Sequence, residues 1–132
     1  MTTFEETQDR TWHATIALDS LPTDGTGRVV ELEIEGASFR LALFVCEDGE
    51  VRCLDDACPH QGASLGDGVL AGGDVTCPWH AWHFDPKTGE NTDGLDACVA
   101  VHPVRVNAAG VVEVALAAGD AAGICDEAGE GL

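Results

Sequence analysis

Apolar residues recur at about every second position in short runs along most of the chain. The runs "TWHATIAL" (11–18), "RVVELEIEG" (28–36) and "SFRLALFVC" (38–46) are rich in β-branched or aromatic side chains and alternate wholly or in part with polar ones. Period two of this kind marks strands with a face in a core. "EGAS" (35–38) reads as a hairpin turn, and "EDG" (47–49) leads into a further run, "GEVRCL" (49–54). "DVTC" (74–77), "HAWHFD" (80–85), "CVAVHPVRV" (98–106) and, past an "NAAG" turn, "GVVEVAL" (110–116) continue the pattern. No segment carries a helical face over ten residues or more. The predicted fold is all-β, a meander of short antiparallel strands.

Two regions interrupt it. Residues 55–76 hold Gly62, Gly66, Gly68, Gly72 and Gly73 with few large apolar side chains, and read as one long loop. Loops of that length in a small domain usually carry function. From Gly119 the chain is small, acidic and aperiodic, so the expected division is one domain over 1–118 and a flexible tail over 119–132. A length of 132 residues suits one domain.

Composition narrows the setting. At 45% hydrophobic residues the chain can bury a core without a disulfide framework. It has no run near the ~18–20 apolar residues of a membrane span, and its N-terminus lacks a signal-peptide pattern. A cytoplasmic, reducing location is the expectation, in which six cysteines serve as metal ligands or small hydrophobes. The 24 acidic against 6 basic residues give a formal charge of −18. Such a surface repels nucleic acid and anionic membranes. It suits docking onto a basic patch of a partner protein, or equally solubility in a salty medium.

The candidate chemistry sits in "CPHQGASL" (58–65) and "CPWHAWHFD" (77–85). Together they spell Cys-x-His, sixteen intervening residues, then Cys-x-x-His: Cys58, His60, Cys77 and His80. Common zinc fingers draw two cysteines from one turn and two histidines from another. Here each loop supplies one of each, which suits two metal atoms, with the cysteines on one iron and the histidines on the other.

These two loops resemble the signature of the Rieske family, and the similarity runs from about Trp12 to about Leu116. The resemblance implies stacked antiparallel sheets with two cluster-binding loops at one end. It also implies one [2Fe–2S] cluster held by Cys58 and Cys77 on one iron and by His60 and His80 on the other. The histidine edges would be the electron exit. Neutral imidazoles in place of two thiolates leave the oxidised cluster formally neutral and raise its potential. Pro59 and Pro78 would fix the loop turns, and Gly62 and Gly66 would let backbone amides approach sulfur.

High-potential members of the family carry an extra disulfide between the loops and hydroxyl groups beside the cluster. Ala63 and Trp79 stand at the disulfide positions here, and Trp82 and Phe84 at the hydroxyl positions. The expected potential therefore lies in the lower part of a window of roughly −150 to +300 mV.

Other residues have blander readings. His83 is expected to be a surface or packing residue, His102 a structural one at a strand end, and Trp12 a core anchor beside His13. Cys46, Cys53 and Cys98 read as buried small hydrophobes, and Cys125 as an exposed thiol in the tail. Trp79 and Trp82 either shield the cluster or belong to a docking face.

The leading expectation is a Rieske-type ferredoxin: a monomeric one-electron carrier, not an enzyme, between a ferredoxin reductase and a terminal oxygenase. The five histidines do not supply the separate two-histidine, one-carboxylate iron site of an oxygenase, and no G-x-G-x-x-G dinucleotide fingerprint opens a helix. Two alternatives stand beside it. One is an accessory subunit resembling the small subunit of nitrite reductases, and the other a structural zinc domain on the same four residues.

Overall fold

In the computed structural model, residues 11–34, 36–57, 64–78, 82–94 and 97–116 are described. They form ten strands: β1 (Thr11–Ala17), β2 (Arg28–Ile34), β3 (Ala37–Val45), β4 (Val51–Asp55), β5 (Val69–Ala71), β6 (Asp74–Thr76), β7 (His83–Phe84), β8 (Val101–His102), β9 (Val104–Val106) and β10 (Val111–Leu116). All pairings are antiparallel. The sheets are β2-β3-β4-β8, β1-β10-β9 and β5-β6-β7.

Strand β3 organises the interior. Its sequence is apolar at successive positions because both of its faces are covered. Phe39, Leu41 and Leu43 point one way, into a buried cluster with Val51, Cys53, Val112, Val114 and Leu116. Ala42 and Phe44 point the other way, into a second cluster with Leu54, Leu65, Leu70, Val75, Cys77, Phe84 and Val99. Period two thus distributes one strand between two cores. The first core joins the four-stranded sheet to β10, and the second joins it to the small β5-β6-β7 sheet.

Several sequence expectations are corrected. The meander holds for β2-β3-β4 and β5-β6-β7 but not for the whole chain; β1 pairs with β10, Thr11 opposite Leu116, so the first and last described strands close on each other. The single strand expected over 98–106 is two. Pro103 has no N–H to continue a ladder, and the chain changes sheets there, β8 pairing with β4 and β9 with β10. The expected long loop over 55–76 contains a 3₁₀ turn at Leu65–Asp67 and a hairpin of β5 and β6. Its turn is Gly72-Gly73, at φ of 64° and 89°, the left-handed conformation that a two-residue hairpin turn requires. The expected tail over 119–132 lies outside the described residues.

Trp12 is half-buried rather than a core anchor. The Arg105 guanidinium lies 4.2 Å from its ring centroid, a cation–π contact on the β1-β10-β9 sheet. Arg105 Nε also donates to Glu113 Oε1 (2.6 Å), and Asn107 Nδ2 donates to Oε2 (3.0 Å). The Asn107 bond, then the Arg105 bond, hold the Glu113 carboxyl below its ordinary value of 4.5. The folded state therefore binds this proton less readily than the unfolded chain. The resulting stability is complete above 4.5 and is lost as pH falls through the lower folded value. Glu113→Gln is accordingly expected to melt below wild type at pH 7 and to close that gap at acid pH. Thermal melts of both proteins from pH 7 down to pH 3 check this; a gap that widens on acidification refutes it.

Among the described residues no helix is long and apolar enough to cross a membrane.

Candidate metal centre

Of the four predicted ligands, Cys77 lies among the described residues; Cys58, His60 and His80 lie outside them, as do Pro59, Gly62, Ala63 and Trp79. Cys77 directly follows β6, is free, and is 1% exposed. It belongs to the second core, whose other members include Leu65, just beyond the first signature loop. The bases of both loops thus rest on the same apolar floor.

Each base is pinched by hydrogen bonds. Ala57 and Ser64 form an antiparallel bridge that closes the segment 58–63, and Leu65 N–H donates to the Asp56 carbonyl (2.7 Å). Cys77 N–H donates to the Trp82 carbonyl (2.7 Å), which closes 78–81. Gly68 brings the two bases together. A Cβ there would stand 2.0 Å from the carbonyl oxygen of Thr76, the residue before Cys77, so only glycine admits this approach. A buried reduced thiol at the meeting point of two short pinched loops fits a thiolate-held metal cluster.

Neighbouring side chains are also accounted for. Phe84 is fully buried, its ring centroid 6.4 Å from that of the half-buried Trp82, and neither residue carries a hydroxyl. His83 is held by both carboxylate oxygens of Asp93: Nδ1 pairs with Oδ1 at 2.9 Å and its N–H donates to Oδ2 at 2.8 Å. These bonds, the backbone one first, hold the Asp93 carboxyl below its ordinary range. His83 is thus a structured surface residue. His102, at the end of β8, is buried and pairs through Nε2 with Asp55 Oδ1 (2.7 Å), the structural role expected of it.

The remaining described cysteines divide. Cys53 is fully buried, and burial pushes its thiol well above the ordinary range. Cys46 is half-buried and is raised by burial and then by Asp48. Both are protonated apolar groups rather than ligands. Cys98 departs from its reading as a buried small hydrophobe: it is half-buried and disulfide-bonded. A cleft of about 570 Å³ lies beside Cys46, Asp48, Asp74 and Lys87. Cys77 is not among the residues that line it.

The expected role of Gly66 is overturned as well. Its amide donates to Asp56 Oδ1 at 2.7 Å and is not free to meet sulfur. Asp56 itself was missed in the sequence, although an acid two residues before Cys58 and an arginine within an apolar strand were both visible signals.

Fold and loop bases define a small antiparallel β domain in which two short segments, 58–63 and 78–81, are closed at their bases beside one apolar core. Residues 11–104 match the Rieske [2Fe-2S] domain, and the chain belongs to that family. The chain is 32% identical over 96 residues to the ferredoxin component of naphthalene 1,2-dioxygenase/salicylate 5-hydroxylase systems of Ralstonia sp, covering 72% of this chain and 86% of that protein. It is 41% identical over 73 residues to apoptosis-inducing factor 3 of Mus musculus, 54% of this chain but only 12% of that much longer protein. A crystal structure assigned to the small subunit of an NADH-dependent nitrite reductase from Mycobacterium tuberculosis superposes with a TM-score of 0.69 at 28% identity, covering 81% of this chain and 96% of that one.

Proposed function

We propose that the chain is a one-electron carrier of the Rieske ferredoxin type, with Cys58 and Cys77 holding one iron and His60 and His80 the other. The observation that carries this is Cys77, a free buried thiol at the junction of two pinched signature loops, in a chain of the Rieske [2Fe-2S] family. A cluster so held supplies reversible one-electron transfer. The chain's own residues set its surroundings: Phe84 and Trp82 exclude water without offering a hydroxyl, and the second core fixes the floor. That environment agrees with a potential in the lower part of the roughly −150 to +300 mV window.

The partners in this reading are an oxygenase that consumes the electron, as the name of the Ralstonia relative suggests, and a reductase that supplies it. The carrier works as a cytoplasmic monomer. A formal charge of −18 supports docking on basic patches of both partners. Electron delivery is then expected to slow as salt rises from ~50 to ~500 mM, where screening shortens to a few ångströms; rates independent of ionic strength remove the electrostatic part of the proposal.

A second reading, an accessory subunit, is favoured by the likeness to the nitrite reductase small subunit. The test is an electron paramagnetic resonance spectrum of the dithionite-reduced protein beside the visible spectrum of the oxidised form. A rhombic signal with an average g below that of all-thiolate clusters is the expected result. A colourless, silent protein, with zinc or without metal, overturns the carrier and advances the accessory or zinc reading.

A further inference from the structure

Asp56 stands two residues before Cys58 and is 1% exposed, the most deeply buried charged side chain among the described residues. Its bonding is unusually one-sided. Oδ1 accepts from Ser64 Oγ (2.9 Å) and from the Gly66 amide (2.7 Å), both just past the first loop. Oδ2 accepts from Arg40 Nε (2.9 Å), on β3. Its backbone makes the same two connections, accepting from Leu65 N–H (2.7 Å) and donating to the Arg40 carbonyl (2.9 Å). Arg40 continues to Glu31 on β2 (2.6 Å), so the carboxylate is tied to two strands of the main sheet.

No alternative packing is open at this point. A Cβ on residue 66 would come within 2.4 Å of Val29 Cγ2 and 3.0 Å of Asp56 Oδ1, so the glycine amide is pressed against the carboxylate. The Asp56–Arg40 pair joins a buried carboxylate to an arginine side chain that is 54% exposed, so solvent weakens the attraction while the carboxylate still bears a desolvation cost; what the pair fixes is geometry. Here the geometry fixed is the separation and orientation of residues 57 and 64, the two ends of segment 58–63.

We propose that Asp56 is the positioning residue of the first ligand loop: by bracing Ser64 and Gly66 against Arg40 it sets where Cys58 and His60 stand, and so retains the cluster. This rests on the ligand reading above. Asp56 touches neither metal nor sulfur in it; it acts through the loop ends.

The experiment uses the cluster-loaded full chain. Asp56→Asn keeps an acceptor for Ser64 and Gly66 but opposes Arg40 with an amide. The bleaching of the visible bands under excess chelator is expected to run about tenfold faster than in wild type, a loss of ~1.4 kcal/mol in the release barrier, with shifted g values in the reduced state. Ser64→Ala and Arg40→Gln, which each delete one arm, are expected to bleach about threefold faster than wild type when each is compared at a matched distance below its own melting midpoint by circular dichroism; they carry the test if Asp56→Asn does not fold. Bleaching and g values identical to wild type in all three variants overturn the proposal. So does bleaching that merely follows each variant's global unfolding rate, since that is a structural role alone. Wild-type protein without iron overturns the ligand reading instead. The brace is then read by hydrogen exchange, with the Gly66 and Leu65 amides protected in wild type and exposed in Asp56→Ala; equal exchange in both refutes it.

Discussion

Cys77→Ser is expected to yield a folded protein without an iron–sulfur cluster. The thiol contributes to the core as a small, nearly apolar group, and serine is close to isosteric with it. The cost to folding is that of a buried hydroxyl, on the order of 1–3 kcal/mol. As a ligand the exchange is far more severe, because a hard alkoxide replaces a soft thiolate at a metal that favours sulfur. Iron and sulfide per chain should fall from two each in wild type to near zero, with loss of the visible bands, while the far-ultraviolet dichroism stays that of a β protein. Cys53→Ser is the control: that thiol is equally buried, but it sits in the other core and is no ligand. It should lose comparable stability and keep its iron. Retention of the full cluster in Cys77→Ser, or equal loss in both variants, removes Cys77 from the ligand set.

How far the sequence foretold this arrangement depended on how local the signal was. The strands with one wet face, β1, β2 and β10, announced themselves by period two, and their bounds shifted by no more than two residues. The resemblance carried by Cys58, His60, Cys77 and His80 was legible because residue spacing is a local property of two loops, and the family match over residues 11–104 bears that resemblance out. The β5-β6 hairpin was missed because glycines counted by number read as one long loop; Gly72-Gly73 between "DGVLA" and "DVT" is a turn signal when read by position. The sheet change at Pro103 was hidden because β8 and β9 share one apolar pattern, and only their different partners separate them. Neither the pairing of β1 with β10 nor the bonds of Asp56 to Arg40 and Gly66 could be read along the chain. Each joins residues whose adjacency exists only after folding.

The division of β3 between two cores leads to a result of comparable size. Phe44→Ala and Phe39→Ala remove the same ring from the same strand, one on each face. Both rings are buried, at 1% and 4% exposure, so each truncation should cost about 3–5 kcal/mol through lost transfer energy and the cavity left behind. Their consequences for the metal centre should differ. The Phe44 cavity opens among Leu65 and Cys77, the floor beneath both loops; a Cβ on Gly27 would already lie 2.7 Å from its ring, which shows how closely the site is filled. The Phe39 cavity opens on the far side, among Val112, Val114 and Leu116. With both variants held below their melting transitions, Phe44→Ala is expected to release its cluster to chelator at least tenfold faster than Phe39→Ala. Interiors are close-packed and transmit strain, so a floor that has lost one of its two buried phenyl rings lets Cys77 shift while the opposite core does not. Chelator kinetics at matched distance from each melting midpoint check the prediction, and equal rates would show that the metal centre responds to global stability instead of to the packing directly beneath it.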